Sequence, residues 1–202
     1  MEKQSIFNIN ENYQSDKEVI PAPLGINTIN YLQSNRDSTI KFEWLDNVLY
    51  NPVWKYQQEL HNKRIENEIT DTVLLLEHNH VYTFGKNADK DHLLPSYSKD
   101  AEVVQIDRGG DITYHGPGQL VVYPIIDLHN YKLSVSWYIC SLETIIISTL
   151  KDFSINADRR EGLPGVWIED EKIAAIGVKL SRWVTMHGFA LNLNPDMSFF
   201  DG

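Results

Sequence analysis

The sequence predicts an α+β domain in which a mostly antiparallel sheet is combined with one long helix. Three observations support this prediction. Short runs of β-branched and aromatic residues, separated by glycine-containing turns, fill residues 71–126. The stretch LSVSWYICSLETIIISTLKDF has helical periodicity, and strand patterns resume over residues 166–194.

The N-terminal part differs in composition from the rest of the chain. Residues 1–37 are polar and show little apolar periodicity, and Pro21 and Pro23 bracket a turn-like stretch. We interpret these residues as an extension that is either loosely packed on the domain or disordered. The domain itself is assigned to residues 38–202.

A first helix is predicted within FEWLDNVLYNPVWKYQQELHNKRIEN, where Trp54, Gln58 and His61 follow helical spacing. Pro52 is expected in its first turn, because a proline there loses no intrahelical hydrogen bond. Asn51 is the expected N-cap.

Strands are expected next, because β-forming residues alternate with turn residues. The expected turns are Gly109-Gly110 and Gly116-Pro117-Gly118. The expected strands are 73–76, a short strand that ends at Gly85, and then 103–106, 112–114 and 120–126.

The second helix is the clearest element, because its apolar residues recur at three- and four-residue steps and Ser134 can cap it. Three further strands are expected in VWIED, EKIAAIGVKL and MHGFALNLN.

Composition and charge exclude several classes of protein. Apolar residues make up 42% and charged residues 23% of the 202 residues, which is typical of a globular domain. The formal net charge of −10 argues against a general nucleic-acid binder. One cysteine allows no internal disulfide, and the longest apolar run, Leu120 to Ile126, is far shorter than the about 20 residues of a membrane helix. No secretory signal is visible, so a cytoplasmic protein is expected.

The densest candidate site is RGGDITYHGPGQ, residues 108–119. Glycines let a backbone approach a ligand closely, Arg108 is a fixed cation, and His115 can transfer a proton near neutral pH. The alternative is a pair of hairpin turns with Arg108 in a surface ion pair. The spacing fits neither a Walker loop nor a dinucleotide fingerprint.

Three histidines are weaker candidates. His78 and His80 would share one face of a strand, as half of a metal site or, more simply, as ordinary hydrogen-bonded side chains. His187, before Gly188, is a candidate of the same kind. No metal site is predicted.

Two other residues have open interpretations. Cys140 lies in the second helix without a neighbouring cation to form a thiolate, so it is expected to be a packing residue. Lys172 follows Asp170 and Glu171, so it is either a turn lysine that faces water or a cation that faces a cleft.

Three motifs of this sequence are RGGDITYHGPGQLVVYPIIDL, HNHVYTFG and KIAAIGVKLSRWVTMHGFALNLNPDMSFF. They resemble those of the lipoyl(octanoyl) transferase family, and the resemblance extends over roughly residue 40 to the end. The related ATP-using lipoate ligases have a third glycine in their glycine loop, and a His-Asp pair follows where this chain has Tyr114-His115-Gly116-Pro117-Gly118. The resemblance implies a two-layer α/β fold of the biotin/lipoate protein ligase type.

The resemblance also implies a reaction, partners and a location. The family moves an octanoyl group from acyl carrier protein to a lysine of lipoyl domains or of the glycine cleavage H protein, through a cysteine acyl-enzyme. This is the first step of endogenous protein lipoylation. No cofactor, nucleic acid or membrane is expected.

The family's functional residues map onto this sequence. Lys172 matches the lysine that lowers the pKa of the cysteine thiol. The substrate contacts map onto Arg108, Gly109, Gly110, Asp111, Ile112, Thr113, Tyr114 and His115, onto Ala175, Ile176 and Gly177, and onto Gly188, Phe189 and Ala190. Because the partners are acidic, a local basic patch is expected among Lys132, Lys151, Arg159, Arg160, Lys179 and Arg182.

One departure concerns the nucleophile. The family cysteine lies in a Pro-Cys-Gly segment shortly after NPDMSFF, and this sequence stops at Gly202. Cys140 stands at the wrong place in the motif order. We expect a fragment of an enzyme, and we expect this fragment to be inactive alone. The alternatives are a sequence whose end is missing and a natural non-catalytic remnant. An ATP-dependent lipoate ligase and a non-catalytic acyl-carrier-binding module are the rival functions.

Overall fold

The computed structural model of the protein describes residues 40–201, so the predicted extension, residues 1–37, lies outside the described residues. The strands over this range are β1 (Lys41–Val48), β2 (Thr72–His78), β3 (Val81–Phe84), β4 (Glu102–Gln105), β5 (Ile112–His115), β6 (Gln119–Ile125), β7 (Asp158–Arg160), β8 (Leu163–Ile168), β9 (Glu171–Ser181) and β10 (Val184–Asn192). The helices are α1 (Tyr50–Ile65) and α2 (Val135–Asp152), with 3-10 turns at Lys90–His92, Leu128–Asn130 and Met197–Asp201. No helix in the described range is long and apolar enough to cross a membrane.

The strands form two sheets. The larger sheet has seven strands in the order β1-β2-β6-β10-β9-β8-β7, and the smaller has the order β4-β3-β5. Only the β1–β2 and β3–β4 pairs are parallel among the described residues. The prediction of an α+β domain with a mostly antiparallel sheet is therefore confirmed.

Helix α1 covers the part of the large sheet formed by β2, β6 and β10. Its buried Val53 and Leu60 share one apolar cluster with Leu74, Val121 and Ala190. The sequence prediction of its cap was wrong. The N-cap is Leu49, without a side-chain cap, and the Asn51 amide instead donates a 2.7 Å hydrogen bond to Glu102.

Helix α2 begins as the sequence predicts. The Ser134 hydroxyl accepts a 3.2 Å hydrogen bond from the Trp137 amide. Leu142, Ile146 and Leu150 are buried, as the periodicity requires. The interpretation of Cys140 as a packing residue was wrong, because this cysteine is exposed.

Strand β1 was not predicted from the sequence. It pairs in parallel with β2, but its largest apolar side chains face away from the core. Phe42 is 45% and Trp44 57% exposed. A strand with this pattern does not show the apolar-in, polar-out alternation from which strands are recognised.

A buried ion pair joins the end of α1 to the start of β2. Arg64 Nε donates to Asp71 Oδ1 over 2.7 Å, and the two side chains are 7% and 1% exposed. Asp71 also accepts hydrogen bonds from the Asp127 amide at 3.0 Å and the Tyr131 hydroxyl at 2.9 Å. Three groups, one on α1 and two beside the Leu128–Asn130 turn, therefore depend on one carboxylate.

We expect the substitution Arg64→Met to lower the free energy of unfolding by about 3–5 kcal/mol, because it leaves the buried Asp71 carboxylate without a cation to balance its charge. Chemical denaturation measures this change. The control is Arg182→Met, whose pair with Glu66 at 3.3 Å is 72% and 65% exposed. That variant should change stability by less than about 1 kcal/mol, and an equal effect of both variants would contradict the assignment.

His78 is a polar residue at the centre of the fold. Its side chain is fully buried. Nδ1 donates a 2.9 Å hydrogen bond to the Val48 carbonyl, and Nε2 accepts one of the same length from the Tyr123 hydroxyl. Both ring nitrogens are occupied in the neutral form, and burial lowers the pKa of His78 to about 4.

The low pKa of His78 predicts a loss of stability in acid. Below its ordinary pKa of about 6.5, the unfolded chain binds a proton that the folded chain does not bind until about pH 4. The free energy of unfolding should therefore fall by about 3 kcal/mol from this group between these pH values. Denaturation at several pH values checks this. His78→Gln should be less stable at pH 7 but show a shallower slope, and an unchanged slope would contradict the prediction.

Candidate functional site

A pocket lies where the small sheet, the start of α1 and strands β9 and β10 meet. It encloses about 320 Å³ of empty space, part of it open to solvent. Its lining residues are Tyr50, Arg108, Thr113, His115, Tyr123, Ala175, Ile176, Gly177, His187, Gly188, Phe189 and Ala190.

The loop between β4 and β5 reaches the pocket because backbone hydrogen bonds fix it to both sheets. The Gly109 amide donates to the Val178 carbonyl of β9 over 3.1 Å. On the other side, the Lys86 amide donates to the Arg108 carbonyl over 2.9 Å, and the Gly85 amide to the Asp111 carbonyl over 3.2 Å. The loop therefore joins the two sheets at the mouth of the pocket.

Arg108 is a buried cation that has only neutral partners among the described residues. It is 5% exposed. Its Nη2 donates to the carbonyl and hydroxyl of Thr83 at 2.8 and 3.0 Å, and its Nη1 donates to the Gly109 carbonyl at 3.0 Å. Burial lowers the pKa of Arg108, but a guanidinium stays protonated at neutral pH. The expected alternative of a surface ion pair is therefore wrong, and the pocket has a positive wall.

Aromatic and imidazole rings form a second wall. The rings of Tyr50 and His115 stack with centroids 6.2 Å apart. His115 Nδ1 lies 3.3 Å from Gln119 Oε1, a distance that suits a donor at this nitrogen. Burial holds the pKa of His115 well below its ordinary value. Burial also raises the pKa of Tyr123. These groups are neutral at pH 7, so the wall adds dipoles without a competing charge.

His187 and Asp107 form a hydrogen-bonded pair at the pocket. His187 is 1% exposed, and its Nε2 lies 3.1 Å from Asp107 Oδ1. The other carboxylate oxygen pairs with Lys179. The hydrogen bond from His187 holds the pKa of Asp107 well below its usual range. Burial lowers the pKa of His187. The pair is therefore a neutral imidazole that donates to a carboxylate.

Ala175, Ile176, Phe189 and Ala190 supply an apolar wall, and two glycines make room beside it. Gly177 and Gly188 are opposite each other in the β9–β10 register. A Cβ on Gly188 would lie 2.2 Å from the Val122 carbonyl oxygen, and one on Gly177 would lie 3.1 Å from Arg108 Cδ. Larger residues here would collide with the strand or displace the guanidinium.

Most of the residues predicted from the sequence converge on this pocket. Arg108, Thr113 and His115 lie on one side, with 175–177 and 188–190 on the other. The remaining predicted contacts of the loop lie outside the lining. Asp111 pairs with His92 at 2.5 Å, and Tyr114 packs with Tyr82 and Phe199 in a separate aromatic cluster. Gly109, Gly110 and Ile112 also lie outside it.

Lys172 lies near the start of β9 and does not line the pocket. It is exposed, and its Nζ lies 4.8 Å above the Trp167 ring. A Cβ on Gly165 would lie 3.4 Å from Lys172 Cδ. The ammonium therefore lies over the Trp167 ring of β8 and faces water, three residues along β9 from Ala175.

Two lining residues, Tyr50 and Tyr123, were not predicted from the sequence, and His187 was predicted only as a weak candidate. Nothing in the sequence distinguishes Tyr50 or Tyr123 from core tyrosines. His187 carried a usable signal, because a histidine beside a glycine in an apolar strand requires a hydrogen-bonding partner. His78 and His80 do not meet on one ligand, since His78 bonds Tyr123 and His80 Nδ1 bonds the Tyr114 hydroxyl at 2.6 Å. Within residues 40–201 no cluster of three or more His, Cys, Asp and Glu is placed to hold a metal.

Comparisons with known proteins agree with this architecture. The bi-partite lipoate protein ligase of Thermoplasma acidophilum superposes with a TM-score of 0.53 at 13% identity. The superposition covers 75% of this chain and 62% of that chain. At such low identity the likeness establishes the fold alone, and it confirms the lipoate ligase type of domain expected from the sequence.

Sequence matches are closer than this structural one. Residues 50–202 match the family described as the lipoyl protein ligase A/B catalytic domain. An octanoyltransferase of Cytophaga hutchinsonii is 44% identical over 192 residues, covering 84% of this chain and 79% of that protein. One from Gloeobacter violaceus is 47% identical over 154 residues, covering 76% and 69%. With these identities over most of both proteins, the chain belongs to the octanoyltransferase family.

Proposed function

We propose that this protein transfers an octanoyl group to a lysine side chain of a lipoyl domain, in the cytoplasm, as the first step of endogenous protein lipoylation. The observation that carries the proposal is the pocket itself. An apolar wall that suits a fatty chain ends at a buried guanidinium without a carboxylate partner among the described residues. The named octanoyltransferase relatives support the same activity.

The acyl tail would lie along Ala175, Ile176, Phe189 and Ala190. At about 0.8 kcal/mol per buried CH₂, an octanoyl tail contributes on the order of 5 kcal/mol of binding free energy. One methylene more or less changes this binding by about 1–3 kcal/mol. The tail therefore anchors the substrate, and the polar end of the pocket carries out the chemistry.

The thioester carbonyl would point at Arg108. Attack on this carbonyl creates an oxyanion, and fixed donors in a dry site stabilise such a charge more than they stabilise the neutral carbonyl. Arg108 is already charged and buried, so it needs no reorganisation during the reaction.

The covalent step needs a thiol. We propose that it comes from the Pro-Cys-Gly segment expected after Gly202, because Cys140 is exposed on α2 and does not line the pocket. The thiolate attacks the octanoyl carbonyl, the bond from carbonyl carbon to carrier sulfur breaks, and the carrier sulfur takes a proton. Lys172 lies outside the pocket lining but on the same strand as Ala175, three residues away, and we propose that it lowers the thiol pKa and supplies that proton once the cysteine segment is in place.

The donor would be octanoyl-acyl carrier protein, and the acceptors would be lipoyl domains and the glycine cleavage H protein. These partners are acidic, so docking requires free cations. Four of the six basic candidates are already paired, Arg159 with Glu143, Arg160 with Asp170, Lys179 with Asp107, and Arg182 with Glu66. Lys132 and Lys151 are therefore the better candidates for docking.

A larger side chain in the apolar wall should fill part of the pocket and weaken substrate binding. Ala175→Leu places three carbons in the apolar wall, which should weaken binding of octanoyl-pantetheine by about 2 kcal/mol, or about thirtyfold. Calorimetric titration measures this. The matched control is Ala88→Leu, on a partly buried turn residue outside the pocket, which should bind normally. Equal affinity of the two variants would show that the acyl chain lies elsewhere.

Formation of the acyl-enzyme should increase the mass of the protein by one octanoyl group. The protein that includes the expected Pro-Cys-Gly segment should gain one octanoyl group from octanoyl-acyl carrier protein, and residues 1–202 alone should gain none. Intact-mass spectrometry with peptide mapping checks both. Lys172→Met should slow acylation about a hundredfold, the size of a general acid–base contribution, whereas Lys55→Met should not.

Three outcomes would contradict this proposal. An adduct at Cys140 would overturn the assigned nucleophile. Pyrophosphate release on mixing with ATP and lipoate would support a ligase instead. Binding of the octanoyl carrier without transfer, even with the cysteine present, would indicate a non-catalytic acyl-carrier-binding module.

A further inference from the structure

His187 has the geometry of a base held by a carboxylate. Its Nε2 lies 3.1 Å from Asp107 Oδ1, and because the carboxylate can only accept, the proton is on Nε2. Its backbone amide donates to Gln57 Oε1 at 3.1 Å, and its φ of 59° is in the left-handed region. Backbone and ring are therefore both fixed in one unusual orientation.

The second ring nitrogen of His187 is unused. Nδ1 is buried and has no hydrogen-bond partner among the described residues. A buried polar atom without a partner carries a free-energy cost, because its hydrogen bond to water is lost and not replaced. Because His187 also lines the pocket, a donor carried by a substrate is one way in which this cost is recovered.

The charges around the imidazole suit a group that gains a proton transiently. Asp107 favours the protonated ring, whereas burial and two cations oppose it. His61 and His115 also interact with it electrostatically. The charged and titratable groups that face His187 are Asp107, Lys179, Arg108, His61, His115 and Tyr123.

On the basis of the proposed function, we propose that His187 Nδ1 accepts the proton of the acceptor lysine amine while Asp107 holds the ring. At neutral pH a lysine amine is mostly protonated, since its reference pKa is about 10.4, and an ammonium has no lone pair with which to attack. A positioned base must therefore remove one proton in or before the transition state.

The proton and electron balance closes within the site. The ammonium gives one proton to Nδ1, and the resulting imidazolium is stabilised by Asp107, as in other carboxylate–histidine pairs. The amine nitrogen forms a bond to the octanoyl carbonyl carbon, and the bond from that carbon to the cysteine sulfur breaks. As this bond breaks, the nitrogen passes its second proton to the departing cysteine sulfur, which leaves as a thiol. His187 then returns the first proton to solvent.

A structural alternative exists within the same cluster. Gln57 Nε2 is also buried without a partner, and Gln57 already contacts the His187 backbone. If Gln57 donates to Nδ1, directly or through a buried water, the nitrogen is occupied in the free protein. It would then be unable to accept a proton from a substrate.

Nitrogen-15 NMR of the imidazole separates these two possibilities. The His187→Asn variant, which keeps a residue type that tolerates a left-handed backbone, assigns the resonances. In the free protein we expect the shift of a bare acceptor at Nδ1 and of a protonated nitrogen at Nε2. Octylamine, which joins an eight-carbon tail to an ammonium, should move Nδ1 towards the protonated position. Methyl octanoate, which has the acyl group but no N–H, should bind without this shift.

Carboxylate variants test the role of Asp107. Asp107→Asn should weaken octylamine binding by about tenfold or more, the size of a hydrogen bond to a charged group. It should leave methyl octanoate binding within about twofold. Asp170→Asn, on an aspartate that is 95% exposed, is the matched control and should change neither.

The outcomes distinguish this inference from the proposed function. If methyl octanoate binds but octylamine leaves Nδ1 unchanged, or if Nδ1 is already hydrogen-bonded in the free protein, the role of His187 is overturned and the acyl pocket stands. If neither ligand binds, the acyl pocket fails, and the role of His187 fails with it.

Discussion

The burial of the Arg108 guanidinium is the constraint on which the site depends. Its hydrogen bonds reach Thr83 in the small sheet, and its side chain lies against Gly177 in the large sheet. A buried charge without a carboxylate is expensive, so the fold keeps it only because several neutral oxygens solvate it from fixed positions. The same interaction therefore joins the sheets, limits the residue at position 177 to a very small one, and gives the pocket its positive potential.

The buried histidines leave Arg108 as the main charge in the pocket. His78 and His115 line or support the pocket, and burial lowers the pKa of each. Because neither carries a charge at neutral pH, neither competes with Arg108 for a substrate oxygen. Asp107, the one carboxylate bonded to His187, is itself paired with Lys179. The site thus has one cation without a carboxylate partner, Arg108, and a separate wall of neutral hydrogen-bonding side chains.

Local sequence patterns predicted the parts of this structure that depend on local physics. The apolar repeat of α2 and its Ser134 cap determine that helix, and the sequence predicted both. Strand β1 was missed because Phe42 and Trp44 face outward, so its pattern does not report burial. The residues of the pocket were largely predictable from motifs, but Tyr50 and His187 are brought there by tertiary packing. Their roles depend on partners about 60 to 80 residues away, such as His115 and Asp107, which no local pattern reveals.

The irregularity in β1 has a consequence for solubility. The outer edge of this strand pairs with no other described strand, and a straight edge with exposed aromatic residues is a template for edge-to-edge aggregation. Between Trp44 and Asn47 the register with β2 shifts, and Asp46 adopts a φ of 54°. This kink breaks the regular row of unpaired amides and carbonyls and places a charged residue at the break. The strand can therefore display its aromatic side chains without offering a continuous surface on which a second molecule could add a strand.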